Sequence, residues 1–145
     1  MANFAIFALL VGAGAAIVAQ NILMAKISGN ATTILVPLIM NSAVGLAVLT
    51  LLLIWRTGAA GVSEILHLFR PWNIFPGLLG SFFVFASILG YQRIGAAATV
   101  AVLVASQLGF GLLTDVFRSG NIAGITLFGA ALLLAGAGLV AFRAV

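Results

Sequence analysis

Apolar residues in this chain neither alternate nor form a single helical stripe. They run in five long blocks separated by polar breaks, at about 3–24, 32–55, 74–91, 96–117 and 122–142. A helix needs about 20 apolar residues to cross about 30 Å of hydrocarbon. Backbone N–H and C=O groups inside that layer must be satisfied within the segment, so each block predicts a transmembrane helix rather than a strand. The valine and isoleucine content does not change this, because uninterrupted runs of this length are not strands.

The first block carries no Lys or Arg ahead of its apolar run, where Met1, Ala2 and Asn3 stand, and it is long enough to span. It reads as an uncleaved helix, with the small residues from Gly12 to Ala16 as packing surface. Three breaks are short: Lys26 to Ala31, Gln92 to Gly95, and Arg118 to Asn121, the last with Gly120 and Asn121 as turn residues. The break from Arg56 to Asn73 is longer. Ser63 there can cap a short helix at about 64–69, with Ile65, Leu66 and Phe69 on one side and Pro71 as its stop. Such a helix suits the membrane surface, and Trp55 and Trp72 flank it as interfacial aromatics. Pro76 falls in the first turn of the third block, where a missing N–H costs little. Pro37 falls in the first third of the second block, where it could kink the helix. One transmembrane domain, 1–145, accounts for the whole chain and leaves no room for an extramembrane domain.

Composition excludes the other classes. The 145 residues are 64% hydrophobic and 6% charged, with a mean hydropathy of +1.34. A soluble domain is about 45–50% apolar and about 25% charged, so a soluble enzyme, a nucleic-acid-binding domain and a disordered chain are ruled out. The net charge of +4 comes from six scattered basic residues against two acids, which is no basic patch. There is no cysteine, so disulfides and thiolate chemistry are excluded.

The placement of the charges says more than their number. Five spans put the termini on opposite sides of the membrane. Arg56, Arg70 and Arg118 share the side of the N-terminus, and Lys26, Arg93 and Arg143 share the other, three against three. Short loops set orientation through their Lys/Arg bias, and here that bias is absent. The reading is dual topology, in which the chain inserts both ways and pairs as an antiparallel homodimer, so that two copies supply the inverted symmetry other transporters encode as repeats. A weak internal repeat is also visible: Lys26 to Thr32 resembles Arg93 to Thr99, and Asn41 to Gly45 pairs with Gln107 to Gly111 one residue out of that register, which would relate the first two spans to the third and fourth, with the fifth added.

Helices in lipid associate through small residues. Ala97, Ala101, Ala105 and Gly109 recur every four residues in the fourth block. The third block offers Gly77 with Ser81 and Ala86 with Gly90, and the fifth offers Ala131, Ala135 and Gly138. Polar groups at membrane depth are costly and mark candidate sites. Asn41 and Gln107 fall near the middles of the second and fourth blocks, within roughly 5 Å of the midplane at 1.5 Å per residue, with Ser42 and Ser106 beside them. Gln20 and Asn21 lie nearer the end of the first block. Amides offer both donors and acceptors and suit a solute or an interhelical bond equally. Neither acid is mid-membrane: Asp115 ends the fourth block near Arg118, and Glu64 lies in the long loop with His67. A proton-driven pump for hydrophobic cations would want a carboxylate in the first span, and none is there.

Several stretches together carry a family resemblance. They are Asn41-Ser42-Ala43-Val44-Gly45, Leu79-Gly80 with Phe83-Val84, Arg93-Ile94-Gly95-Ala96-Ala97, Val104-Ala105-Ser106-Gln107, Leu112-Leu113-Thr114-Asp115, and the closing Gly129 to Gly136. The chain resembles the YdcZ-like proteins, a five-helix branch of the drug/metabolite transporter superfamily. Arg93 to Asp115 is the most specific part. Members usually carry a Gln with an Asn four residues later in the first span; Gln20 matches, and Met24 stands in the Asn position. The resemblance implies a bacterial inner-membrane protein, often an antiparallel pair, related to small multidrug exporters.

The combined expectation is an all-α integral membrane protein of five transmembrane helices, a four-helix core plus a fifth, paired as an antiparallel homodimer. It would act as a secondary transporter of a small polar or amphipathic metabolite by alternating access. Gln107, Asn41, Gln20, Ser106 and Ser42 are the candidate substrate contacts, and Asp115 is the candidate coupling group. The competing expectation is a non-transporting membrane subunit or a lipid-handling protein that packs through its small-residue faces. No nucleophile–base pair or metal cluster is present, so no enzyme activity, metal or cofactor is expected. The expected partners are a small solute, membrane lipids and a second copy, not nucleic acid.

Overall fold

The computed structural model describes residues 2–120 and 124–142. Its elements are helices throughout: α1 (Ala2–Gly29), α2 (Leu35–Thr57), α3 (Ala59–Leu68), a short 3₁₀ turn (Pro71–Asn73), α4 (Ile74–Arg93), α5 (Ala96–Ser119) and α6 (Gly124–Phe142). Five of the helices are long and apolar enough to cross a membrane, and α3 is a shorter apolar helix of 10 residues.

The boundaries depart from the sequence reading for local reasons. The first helix runs on past Met24 to Gly29, where Asn30 N–H bonds Ile27 O at 3.1 Å and Asn30 Nδ2 reaches Lys26 O at 3.4 Å. The second begins at Leu35 rather than at 32; Leu35 N–H donates to Thr33 Oγ1 at 3.4 Å, so the threonine is spent outside the helix. Pro37 therefore stands in the first turn and not deeper in the helix. There an N–H has no intrahelical partner to lose, so the proline gives no reason for a kink. The short helix expected at 64–69 spans Ala59–Leu68 instead, and Ser63 is not its cap. Gly58, at φ 64° and ψ −156°, turns the chain as soon as α2 ends, a conformation essentially confined to glycine. Ser63 is consequently inside α3, where its hydroxyl donates to Ala60 O at 2.7 Å. The expected start of the last span at 122 lies outside the described residues, as does Arg143.

The chain divides into two compact units, one of Met1–Ile22 with Leu89–Val145 and one of Leu23–Ile88, the divisions falling inside α1 and α4. In the second unit, α3 packs on the end of α2. Buried Gly61 makes this possible: a Cβ there would meet Thr57 Oγ1 and stand 2.9 Å from Leu53 Cδ1. Thr57 is held in turn, because its hydroxyl donates to Leu53 O at 2.8 Å. Trp55 and Trp72 are 85% and 76% exposed at the two ends of this segment. Trp72 lies against Phe75 with ring centroids 5.5 Å apart.

In the first unit, the end of α4 and the start of α5 form a tight hairpin. Ile94 N–H bonds Gly90 O at 2.9 Å, and Gly95 enters α5 at φ 82° and ψ 168°, again a glycine conformation. The Thr99 hydroxyl donates to Gly95 O at 2.7 Å. Farther along, α5 packs against α6. Among the described residues the buried hydrophobic side chains are Met24, Ile88, Ala98 and Ala130, while long rows of Leu, Val, Ile and Phe face outward. Apolar surface left bare in this way suits lipid, which solvates leucine as well as leucine does.

The small-residue faces are used selectively. Ala97, Ala101 and Ala105 line the α5 side of a groove, but Gly109 does not. On α6 the groove takes Gly136 and Ala137, and Ala130 is the buried residue; Ala131, Ala135 and Gly138 are exposed. On α4, Gly77 and Ser81 are exposed, whereas Gly90 receives a neighbour.

Candidate functional site

The mid-span amides differ once their helices have fixed ends. Gln107 lies at the centre of the 24-residue α5. It is exposed and has no hydrogen-bond partner among the described residues. Ser106 beside it is also exposed, and its hydroxyl donates back to Leu103 O at 2.8 Å, which leaves only its lone pairs for another group. Both belong to the first unit, as do Gln20, which is half-buried on α1, and Asp115, exposed near the end of α5.

Asn41 and Ser42 belong to the second unit; Asn41 is half-buried and Ser42 exposed. Because α2 starts at Leu35 and has 23 residues, Asn41 lies nearer its N-terminal end than the sequence suggested. At 1.5 Å per residue it stands roughly 7.5 Å from the helix centre. Gln107 is thus the candidate amide that remains at mid-span, and it is also the one left open.

An amide side chain facing hydrocarbon without a partner costs free energy on the order of kcal/mol. A partner, a solute or water must therefore meet Gln107 in the membrane. The α5–α6 groove meets none of its polar needs. It is a cavity of about 380 Å³ lined only by Ala, Val, Leu and Gly, among them Val100, Val104, Leu133 and Val140.

The sequence reading missed one polar group. Tyr91, near the end of α4, is half-buried, and its hydroxyl is buried without a hydrogen-bond partner among the described residues. A buried phenol normally finds a partner. Its one sequence signal was its rarity: it is the single tyrosine of the chain, at the edge of an apolar block and two residues before Arg93. Asn21 is buried at 4% exposure, deeper than its neighbour Gln20. Among the described residues no group of three or more His, Cys, Asp or Glu could hold a metal ion.

Five helices long and apolar enough to cross a membrane define a small integral membrane protein. Comparison with known proteins makes the assignment definite. Residues 4–139 match the family described as "Putative inner membrane exporter, YdcZ". The chain is 50% identical over 140 residues to the Inner membrane protein YdcZ of Escherichia coli (strain K12), covering 94% of each chain. The chain belongs to the YdcZ family of the drug/metabolite transporter superfamily, a family of inner-membrane proteins associated with transport and not with catalysis. No solved structure matches it.

Proposed function

We propose that the chain is a secondary transporter that moves a small polar or amphipathic metabolite across the bacterial inner membrane by alternating access, working as a dual-topology homodimer. The observation that carries the site is Gln107, an open amide at the centre of a membrane-spanning helix. In an antiparallel pair, each copy of Gln107 lies near the midplane whichever way its chain inserts, so the two orientations present equivalent contacts. Gln20, Asn41, Ser42 and Ser106 are the further solute contacts. Asp115, the one acid in a spanning helix, is the coupling candidate. All 145 residues form one transmembrane domain, with the first four spans as the core and the fifth beside them or at the seam. The family description as an exporter and the three-against-three division of Lys and Arg both support this reading.

The test is flux in proteoliposomes across a panel of metabolites and amphipathic cations, with Gln107→Ala beside the wild type. Gln107→Ala is expected to lower flux of the responsive solute about tenfold, the effect of losing one or two hydrogen bonds to a desolvated group. Its dimer fraction should stay unchanged by crosslinking. Equal flux in empty and protein-loaded vesicles across the panel would overturn the proposal. That result would favour the second reading, a non-transporting subunit or lipid-handling protein, for which the wholly apolar α5–α6 groove is the supporting feature.

A further inference from the structure

The chain's other acid, Glu64, has no part in the transport reading, and it lines a cavity of its own. Where α3 leans on the end of α2, Leu53, Gly61, Glu64, Ile65, Leu68, Phe69 and Asn73 surround a cleft of about 310 Å³. Its polar side chains are the carboxylate of Glu64 and the carboxamide of Asn73. Glu64 makes no ion pair or hydrogen bond among the described residues, although Arg56, Arg70 and His67 lie close to it in sequence. Asn73 spends its Nδ2 on Leu68 O at 3.4 Å, which leaves Oδ1 to accept. The cleft lies at the C-terminal, negative end of α3, and Phe69 leaves that helix in extended conformation (φ −64°, ψ 121°).

A carboxylate, an amide oxygen and a helix C-terminus select a cation that donates several hydrogen bonds. A primary ammonium offers three N–H donors and no acceptor. The rest of the lining is apolar, from Leu53, Ile65, Leu68 and Phe69. This segment also lies between two exposed tryptophans, Trp55 and Trp72, that mark the level of the headgroups. Arg56 and Arg70, on the two chain segments that bound the cleft, are both exposed and supply the charge a phosphodiester needs.

We propose that this cleft binds a phospholipid with a primary-amine headgroup. The ammonium donates to Glu64 and to Asn73 Oδ1, and the start of an acyl chain covers Leu53, Ile65, Leu68 and Phe69. A free amine would leave the apolar lining uncovered, and a choline headgroup has no N–H to donate. The site does not depend on whether the protein transports.

The test uses the full chain in detergent, titrated with short-chain phosphatidylethanolamine and with phosphatidylcholine of the same chains. Binding is read by thermal midpoint and by counting bound lipids in native mass spectrometry. Phosphatidylethanolamine should bind the wild type about tenfold more tightly than phosphatidylcholine, the usual effect of a charge-assisted hydrogen bond. Glu64→Gln should bring the two lipids within about twofold, since the neutral amide keeps the shape and loses the charge. Glu64 is exposed, so the variant should fold. Asn73→Ala, with a smaller loss of preference, gives an independent reading. Equal binding of the two lipids by the wild type, or full preference retained in Glu64→Gln, would overturn the proposal. So would an equal midpoint shift from free ethanolamine at the same concentration, which would show that the lipid chains contribute nothing.

Discussion

Gly90 of α4 and Thr99 of α5 occupy one another's space. A Cβ at Gly90 would stand 2.5 Å from Thr99 Cγ2 and 2.7 Å from Thr99 Oγ1. Thr99 is buried, and its hydroxyl is committed to Gly95 O, so it cannot swing aside freely. Gly90→Ala should therefore cost about 1–3 kcal/mol through overpacking, seen as a lower thermal midpoint in detergent. Adding Thr99→Ala, which deletes both the methyl and the hydroxyl that crowd the new Cβ, should recover part of that loss. A Gly90→Ala variant as stable as the wild type would show that the hairpin does not depend on this contact.

One residue from that contact, the buried hydroxyl of Tyr91 gives a stability change of the opposite sign. An unpaired buried hydroxyl costs about 1–3 kcal/mol of desolvation. Tyr91→Phe removes it and keeps the ring, so the solute-free protein should melt at an equal or higher temperature. A drop of several degrees would mean that the hydroxyl has a structural partner.

The second unit has its own sensitive glycine. Gly61→Ala would press a methyl onto Thr57 and Leu53, at the point where α3 docks on α2. Amide hydrogen exchange across residues 59–68 should then quicken about tenfold, the effect of weakening local docking by about 1.4 kcal/mol. Exchange in α5 should be unaffected, because α5 lies in the other unit. Unchanged exchange in α3 would mean that its docking tolerates the added methyl.

Charge balance gives a prediction about topology. Arg93→Gln leaves two basic residues on the side of the C-terminus against three on the other. The positive-inside tendency should then favour insertion with the N-terminal side in the cytoplasm. Arg118→Gln should favour the reverse. Fusions of one-sided reporters to the C-terminus should show mixed signal for the wild type and opposite shifts for the two variants. A wild type that reports from one side alone, unmoved by either change, would end the dual-topology reading.

Some of the candidate site was legible in the sequence and some was not. Gln107 stands out because a polar residue in an apolar run of helical length is conspicuous, and it lies at the centre of α5. Asn41 was placed too near the midplane, since the start of α2 depended on where Thr33 and Leu35 put their hydrogen bonds. Tyr91 carries no signal beyond its rarity at the end of an apolar run, and only packing shows that its hydroxyl is buried. Ser63 looked like a cap because serine before a helix usually is one, but the turn at Gly58 had already begun that helix.

Hydrophobic run length alone determined that this is an all-helical membrane protein with five spans, because the hydrocarbon thickness sets the length of the segments and the lack of water inside it dictates helices. Its motifs pointed to the family, and its six basic residues divide three and three between the two sides that five spans define. Tertiary structure decided what one-dimensional spacing cannot encode: which small residues are approached closely and which face lipid, and which polar atoms are satisfied. Ala130 and Ala131 are adjacent and alike in sequence, yet one is buried and the other is exposed. Every side of a lipid-embedded helix is apolar, so periodicity carries little information about its inward face, and only the packing of neighbouring helices settles it.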